Sequence, residues 1–229
     1  QFPITDNSSD SDFFFLPLSD PEHIKQKIVQ LICQRLPKRY QLDPRKDIQL
    51  LIPMKRGPIG IEVMNATLQQ ALNPHPKSGI PRGGQVFCDG DKVMQIRNNH
   101  KKEVSNGDIG WITLIDEANA EIHVNFEGKD VSYTTSELDQ LTLAYAISIH
   151  KYQGSECPCI IMPVHTCHYK LLHRNLLYTG VTRAKKLLVL LGTKKALAIA
   201  IGNDEVKKRY TGLKQCLYEI NATPQELPL

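Results

Sequence analysis

The chain has 229 residues, 41% of them hydrophobic and 23% charged, enough to bury a full core and too apolar for extensive disorder. No apolar run approaches the ~18 residues of a membrane span. Six cysteines at irregular spacing, with no basic-then-apolar leader, point to reduced thiols in a cytoplasmic protein rather than a disulfide framework. The formal charge of +4 suits nucleic acid without requiring it, and the lysine pairs at 101–102, 185–186, 194–195 and 207–208 are dispersed as solvated faces are.

The start, Gln1-Phe-Pro-Ile, lacks an initiator methionine and reads as an excised piece of a longer chain. A polar lead-in then meets Phe13-Phe-Phe-Leu16, a short buried strand closed by Pro17 and Pro21. Ile24, Ile28, Leu31, Ile32 and Leu36 recur at helical spacing, which predicts an amphipathic helix over 22–36 stopped by Pro37. Ile48 to Ile52 is an apolar strand, and Ile61, Met64, Leu68, Ala71 and Leu72 mark a second helix ending at Asn73-Pro74. Residues 74–86, rich in Pro and Gly, form a connector. From Asp91 to Leu141 the period changes to two among turns such as Asn106-Gly-Asp, which predicts a small β-barrel inserted over 87–141. Alternation of strand and helix then returns: strands 142–149 and 159–164, helix 173–185, strand 187–191 and helix 194–201. The fold class expected is α/β, a mostly parallel sheet flanked by helices and assembled from 1–86 and 142–229, with the antiparallel barrel inserted.

Two segments carry the chemistry. In Ala144-Tyr-Ala-Ile-Ser-Ile-His-Lys-Tyr-Gln-Gly-Ser-Glu156 an apolar strand ends in a polar, glycine-containing turn, the place where open α/β sheets bind ligands. Alternate side chains at a strand end point opposite ways, so one short segment can address two ligands. In Asn175-Leu-Leu-Tyr-Thr-Gly-Val-Thr-Arg-Ala-Lys-Lys-Leu-Leu-Val-Leu-Leu-Gly192, a helix running into a buried strand aims Arg183 outward. A guanidinium so placed suits phosphate, though an arginine at a helix C-terminus also favours the local dipole. Arg56, beside Lys55, sits in the loop after the Ile48–Ile52 strand, where a positively charged turn is equally ordinary. Cys157, Cys159, His165, Cys167 and His168 only superficially resemble zinc ligands: they do not form two closely spaced ligand pairs, so buried free thiols and no metal are expected. In the insert, Lys92, Arg97, Asn98, Asn99, Lys101 and Lys102 cluster near strand ends and are candidates for DNA phosphates, with Tyr133 for stacking, or Trp111 unless that ring is core. No G-x-x-x-x-G-K-[ST] loop occurs in the sequence.

The two segments resemble motifs V and VI of superfamily 1 DNA helicases of the RecD-like branch, the exodeoxyribonuclease V alpha-subunit family. The likeness extends to Ser11-Asp-Phe-Phe-Phe15, Ile48-Gln-Leu-Leu-Ile-Pro-Met-Lys-Arg-Gly-Pro-Ile-Gly60, Leu68-Gln-Gln-Ala-Leu-Asn-Pro74, Gly90-Asp-Lys-Val-Met-Gln-Ile-Arg-Asn-Asn99, Asn106-Gly-Asp-Ile-Gly110 and Arg209-Tyr-Thr-Gly-Leu213. It implies a RecA-like second motor domain with an inserted Src-homology-type barrel, the C-terminal half of an ATP-dependent 5′-to-3′ helicase of DNA repair or recombination. Arg183 then matches the motif VI arginine that reaches the γ-phosphate, and Arg56 the motif IV arginine that also approaches the phosphates. Gln153, Gly154 and Glu156 would face the nucleotide. Ser148 and His150, with Lys151, would face the DNA backbone; many family members have threonine where Ser148 stands. The implied cofactor is ATP with Mg2+, both held mainly by a first motor domain absent from this sequence, without which the piece is expected to be inactive. Implied partners are single-stranded DNA, that upstream domain and nuclease or recombination subunits, with no membrane. The competing reading is a non-enzymatic nucleic-acid or protein binding module on a RecA-like scaffold, which would have no need of Arg56, the 148–156 segment and Arg183 together.

Overall fold

A computed structural model describes residues 11–204, so the Arg209–Leu213 stretch and the first residues lie outside the described part. β1 (Phe13–Pro17) leads to α1 (Pro21–Gln30), which starts where Asp20 accepts hydrogen bonds from the amides of Glu22 and His23 and Pro21 presets the first turn. The helix does not stop before Pro37 as the sequence predicts. It widens into a π turn over Leu31–Arg35 and continues as α2 (Leu36–Tyr40), the Leu36 amide bonding the Leu31 carbonyl. The wider turn relieves the clash between the proline ring and the preceding turn, so Pro37 bulges the helix instead of ending it.

β2 (Ile48–Ile52), α3 (Ile61–Leu72), the hairpin β3 (Gly79–Arg82) and β4 (Gln85–Cys88), and then β5 (Lys92–Gln95) follow. Next come β6 (Ile109–Asp116), β7 (Glu121–Phe126), β8 (Lys129–Thr134), a 3-10 turn over Thr135–Gln140 and β9 (Leu141–Leu143). The chain closes with β10 (Ala146–Ser148), β11 (Cys157–Val164), α4 (Arg174–Val181), β12 (Ala184–Gly192) and α5 (Lys194–Gly202). Five strands form a parallel sheet in the order β1-β12-β11-β2-β10, and five form an antiparallel sheet in the order β8-β7-β6-β5-β9. The protein is thus α/β with an antiparallel insert. Strands β2 and β11 are buried almost throughout and apolar along nearly their whole length, as strands covered on both faces of a parallel sheet must be.

The strand predicted over 142–149 is two strands in different sheets. Leu141–Leu143 pairs antiparallel with β5, and Ala146–Ser148 pairs parallel with β2. At the crossing the backbone loses its ladder partners, and two buried amides replace them. Gln49 Nε2 donates to the carbonyls of Ala144 and Tyr145, both at 3.2 Å. Asn65 Nδ2 donates to the carbonyls of Leu143 (3.3 Å) and Ala146 (3.0 Å), while its Oδ1 accepts the Ala146 amide at 2.8 Å. Buried backbone groups without such partners would cost as much as lost hydrogen bonds.

Candidate nucleotide and nucleic-acid site

The site lies at the carboxyl ends of β10 and β2 and beside the start of β12. After Ser148 the chain turns: the Lys151 amide donates to Ser148 Oγ at 3.2 Å, and the Tyr152 amide to the Ser148 carbonyl at 3.2 Å. The Tyr152 ring is buried, and its hydroxyl donates to the Glu156 carbonyl at 3.3 Å, which pins the turn from beneath. Burial raises the Tyr152 phenol pKa well above its usual value, so it stays a neutral donor. His150, Lys151, Gln153, Gly154 and Glu156 are left exposed around that anchor. Gly154 has φ +89 and open space where a side chain would start, so the chain can present its backbone there.

Arg183 lies one residue beyond the cap of α4, which ends at Val181 rather than near 185, so the arginine stands in the turn into β12. Its Nε donates to the Thr179 carbonyl, its Nη1 to the Ser155 carbonyl and its Nη2 to Thr182 Oγ1, each at 3.2 Å. The Cys157 amide in turn donates to the Arg183 carbonyl at 3.0 Å. The two motif segments are therefore bonded to each other through this one side chain, which remains half-buried. Glu156 faces Lys185 at 3.4 Å, both side chains about half exposed.

Arg56 stands on the loop after β2, 86% exposed and 4.0 Å from Glu62, with Lys55 3.5 Å from the same carboxylate. A tight loop presents them: the Gly60 amide donates to the Gly57 carbonyl, and a Cβ on Gly60 would sit 2.5 Å from the Arg56 backbone. Lys151 lies close enough to Lys55 that burial first, and then Lys55's charge, pull its ammonium pKa below the usual range. Arg56 and Arg183 are each presented by a loop of their own, the first after β2 and the second between α4 and β12.

The insert residues divide differently from their expectation. Lys92 is 4% exposed, its Nζ donates to Gln49 Oε1 at 2.9 Å, and burial pulls its pKa down to about 8. It ties the two sheets together and does not face solvent, so it leaves the set of DNA-contact candidates. Tyr133 also leaves the stacking candidates: it is wholly buried and donates to Gln95 Oε1 at 2.9 Å. Trp111 is half-buried. Arg97 is exposed but paired with Asp139 at 2.9 Å, and Asn98 accepts the Asn106 amide. Asn99 bonds Gln140 and accepts the Lys102 amide, holding its own loop together. Among the cysteines, Cys157 and Cys159 are buried, and burial pushes the Cys159 thiol up to about 12.

Sequence reasoning missed Gln49, Asn65 and Tyr152. A glutamine inside the otherwise apolar Ile48-Gln-Leu-Leu-Ile52 was the available signal, because a polar side chain in a doubly covered strand must have a buried partner.

Residues 64–126 match the family model for the SH3 domain of ATP-dependent RecD-like DNA helicases, and residues 143–191 match that for the UvrD-like helicase C-terminal domain. Among curated proteins, the chain is 35% identical over 153 residues to the ATP-dependent RecD2 DNA helicase of Deinococcus radiodurans, covering 67% of this chain and 21% of that protein. It is 31% identical to the RecBCD enzyme subunit RecD of Buchnera aphidicola from Acyrthosiphon pisum, covering 83% of this chain and 33% of that one. The chain thus spans a third or less of these relatives' length. Of the solved structures, a Bacteroides Pif1 helicase in complex with ADP-AlF3 and ssDNA gives a TM-score of 0.49 at 19% identity, over 72% of this chain and 44% of that one. Most of the antiparallel insert and the part of the parallel sheet around the 148–156 turn thus fall in the two matched regions, the first similar to a RecD-like helicase SH3 domain and the second to a UvrD-like helicase C-terminal domain. The chain is therefore similar to part of the RecD-like DNA helicases.

Proposed function

We propose that this chain is the second motor half of an ATP-dependent 5′-to-3′ DNA helicase, acting with a Walker-type domain elsewhere in the same polypeptide. The observation that carries the reading is the bond from Arg183 Nη1 to the Ser155 carbonyl, which makes the motif VI arginine and the 148–156 turn one mechanical unit. Three of its nitrogens are used within the chain, yet a guanidinium has further N–H groups to offer a phosphate oxygen. The residues fit a nucleotide: Arg183 and Arg56 meet phosphate charge, while the open backbone at Gly154 with Gln153 and Glu156 meets the remainder of the molecule. ATP supplies the phosphoryl group, and Mg2+ is held mainly by the partner domain, since no phosphate-cradling glycine loop occurs here.

Charge spread over the transferring phosphoryl oxygens needs cations placed in advance, and a second domain that brings one only on cleft closure links hydrolysis to movement. At the other end of the same turn, Ser148, His150 and Lys151 hold the DNA backbone. Closing the cleft on Arg183 therefore pulls, through Ser155, on the residues that grip the strand. Base sequence matters little to such a grip. Two relatives are named as RecD helicase or as a RecBCD subunit, and recombination or nuclease subunits in the cytoplasm are the partner class we propose.

The test is single-stranded-DNA-stimulated ATP hydrolysis by a polypeptide extended upstream to include the Walker-type domain. Arg183→Ala should lower turnover by ~10³-fold or more while melting temperature and DNA binding hold, and this chain alone should not turn over ATP. Unchanged turnover in Arg183→Ala would make the arginine structural and overturn the reading.

A further inference from the structure

A cleft of about 230 Å³ opens where the parallel sheet meets the insert, away from Arg183. Its lining combines the apolar Ile61, Met94, Leu143 and Ile147 with polar side chains, Asn65 and Glu62 among them. On the motor side the rim carries Lys55, Ser148 and Lys151; on the insert side it carries Gln85 and Thr142.

Three features of the rim point to a ligand with one anionic group. Lys55 and Lys151 repel each other across it, and Glu62, which Lys55 shares with Arg56, offsets Lys55 only through a pair at 3.5 Å that solvent weakens. An anion between the two ammonium groups would relieve that repulsion. Ser148 Oγ already accepts the Lys151 amide, so its O–H is free to donate toward the same point. On the opposite side, Gln85 Oε1 accepts the Leu143 amide at 3.5 Å, and the Gln85 amide nitrogen and the Thr142 hydroxyl have no hydrogen-bond partner among the described residues.

We infer that this cleft seats one nucleotide of the bound single strand, with its phosphate between Lys55, Lys151 and the Ser148 hydroxyl and its base in the recess between the two sheets. The inference rests on the helicase reading above and adds Lys55, Gln85 and Thr142 to it. Gln85 and Thr142 bond the sugar, and the recess receives any base because Asn65, which also lines the cleft, already spends both its amide N–H groups on the carbonyls of Leu143 and Ala146. The insert then grips DNA through the β4 and β9 residues at its junction with the motor sheet, and not through Lys92.

The probe is a fluorescently labelled oligothymidine, compared by anisotropy with an abasic phosphodiester of equal length, each titrated against this chain over a range of salt. The thymidine strand should bind about 5-fold or more tighter than the abasic one, as base docking on a protein surface allows. Thr142→Trp and Gln85→Trp, which fill the recess from two different strands, should erase that difference by weakening the thymidine strand more than the abasic one, with melting curves as the control for folding. Lys55→Ala and Lys151→Ala should each lower the slope of log affinity against log salt by ~0.7, while Lys129→Ala, placed elsewhere on the insert, should not. A full thymidine preference in both tryptophan variants overturns the seat, as does equal weakening for both probes or no binding by the parent chain. None of these outcomes touches the ATP hydrolysis test, which alone decides the helicase reading.

Discussion

His168 stands in the turn between β11 and α4, 1% exposed, with neither ring nitrogen bonded among the described residues. Burial first, and then the neighbouring His165, pull its pKa down to about 4 from the ordinary 6.5. A proton on this ring is therefore taken up more readily by the unfolded chain. Its contribution to stability is complete above pH 6.5 and is lost as pH falls through 4, amounting to ~3 kcal/mol at ~1.4 kcal/mol per unit. Melting temperature should fall between pH 6.5 and 4 in the parent and fall less in His168→Leu. Equal losses in the two would remove His168 as the group responsible. Arg183 depends on the same region, since α4, which precedes it, packs on β11 through a glycine: a Cβ at Gly180 would come 2.6 Å from Met162 Sδ. The small residue lets the helix lie close enough to the sheet for the arginine to reach Ser155.

At the scale of elements, the junction between the two sheets decides most of what the site can be. Asn65 on α3 satisfies three backbone groups at the crossing from β9 to β10, and all of them are buried. Asn65→Ala leaves these without partners, and a loss of ~2–4 kcal/mol is expected by urea titration. A loss below 1 kcal/mol would mean that water enters the junction. This is also where the sequence stops being readable. The helix of α3, strands β2, β11 and β12 and helix α5 follow from apolar periodicity, because each buries one face or two against the same core. The break at Ala144-Tyr145 does not, since both halves of 142–149 are apolar and only the pairing partner differs. Pro37 misleads for a related reason: a breaker is read as a stop, but the buried face of α1 and α2, with Leu31, Ile32 and Leu36, holds the helix together through a π turn. Lys92 reads as a surface cation until Gln49 is seen opposite it. The Arg183 position was legible from its motif, whereas its acceptor, the Ser155 carbonyl, is a backbone atom with no signature of its own.

For the whole molecule, the question is whether insert and motor sheet behave as one body. A single apolar cluster runs from Ile48, Leu50 and Leu68 into Phe87, Val93, Ile112 and Val124 without a break between the sheets. Polar bonds follow the same seam. Asp91, buried at the start of the insert, accepts from Asn73 at 2.9 Å, from the Tyr145 hydroxyl at 3.0 Å and from the Cys88 amide at 2.7 Å. Arg45, from the segment before β2, donates to the Gly90 carbonyl, and Lys92 reaches Gln49. Buried polar groups tied this way leave either sheet with unpaired donors and exposed apolar surface if the other melts first, so partial unfolding has little to favour it. The chain should therefore unfold in one transition whose calorimetric and van't Hoff enthalpies agree, followed both by near-ultraviolet signal from Trp111 in the insert and by far-ultraviolet signal dominated by the helices. Two separated transitions, with the Trp111 signal lost first, would show that the insert moves independently. The proposed nucleotide seat needs the opposite: Gln85 and Thr142 can meet Lys55 and Lys151 across a single nucleotide only if the insert and the parallel sheet hold the width of the cleft between them.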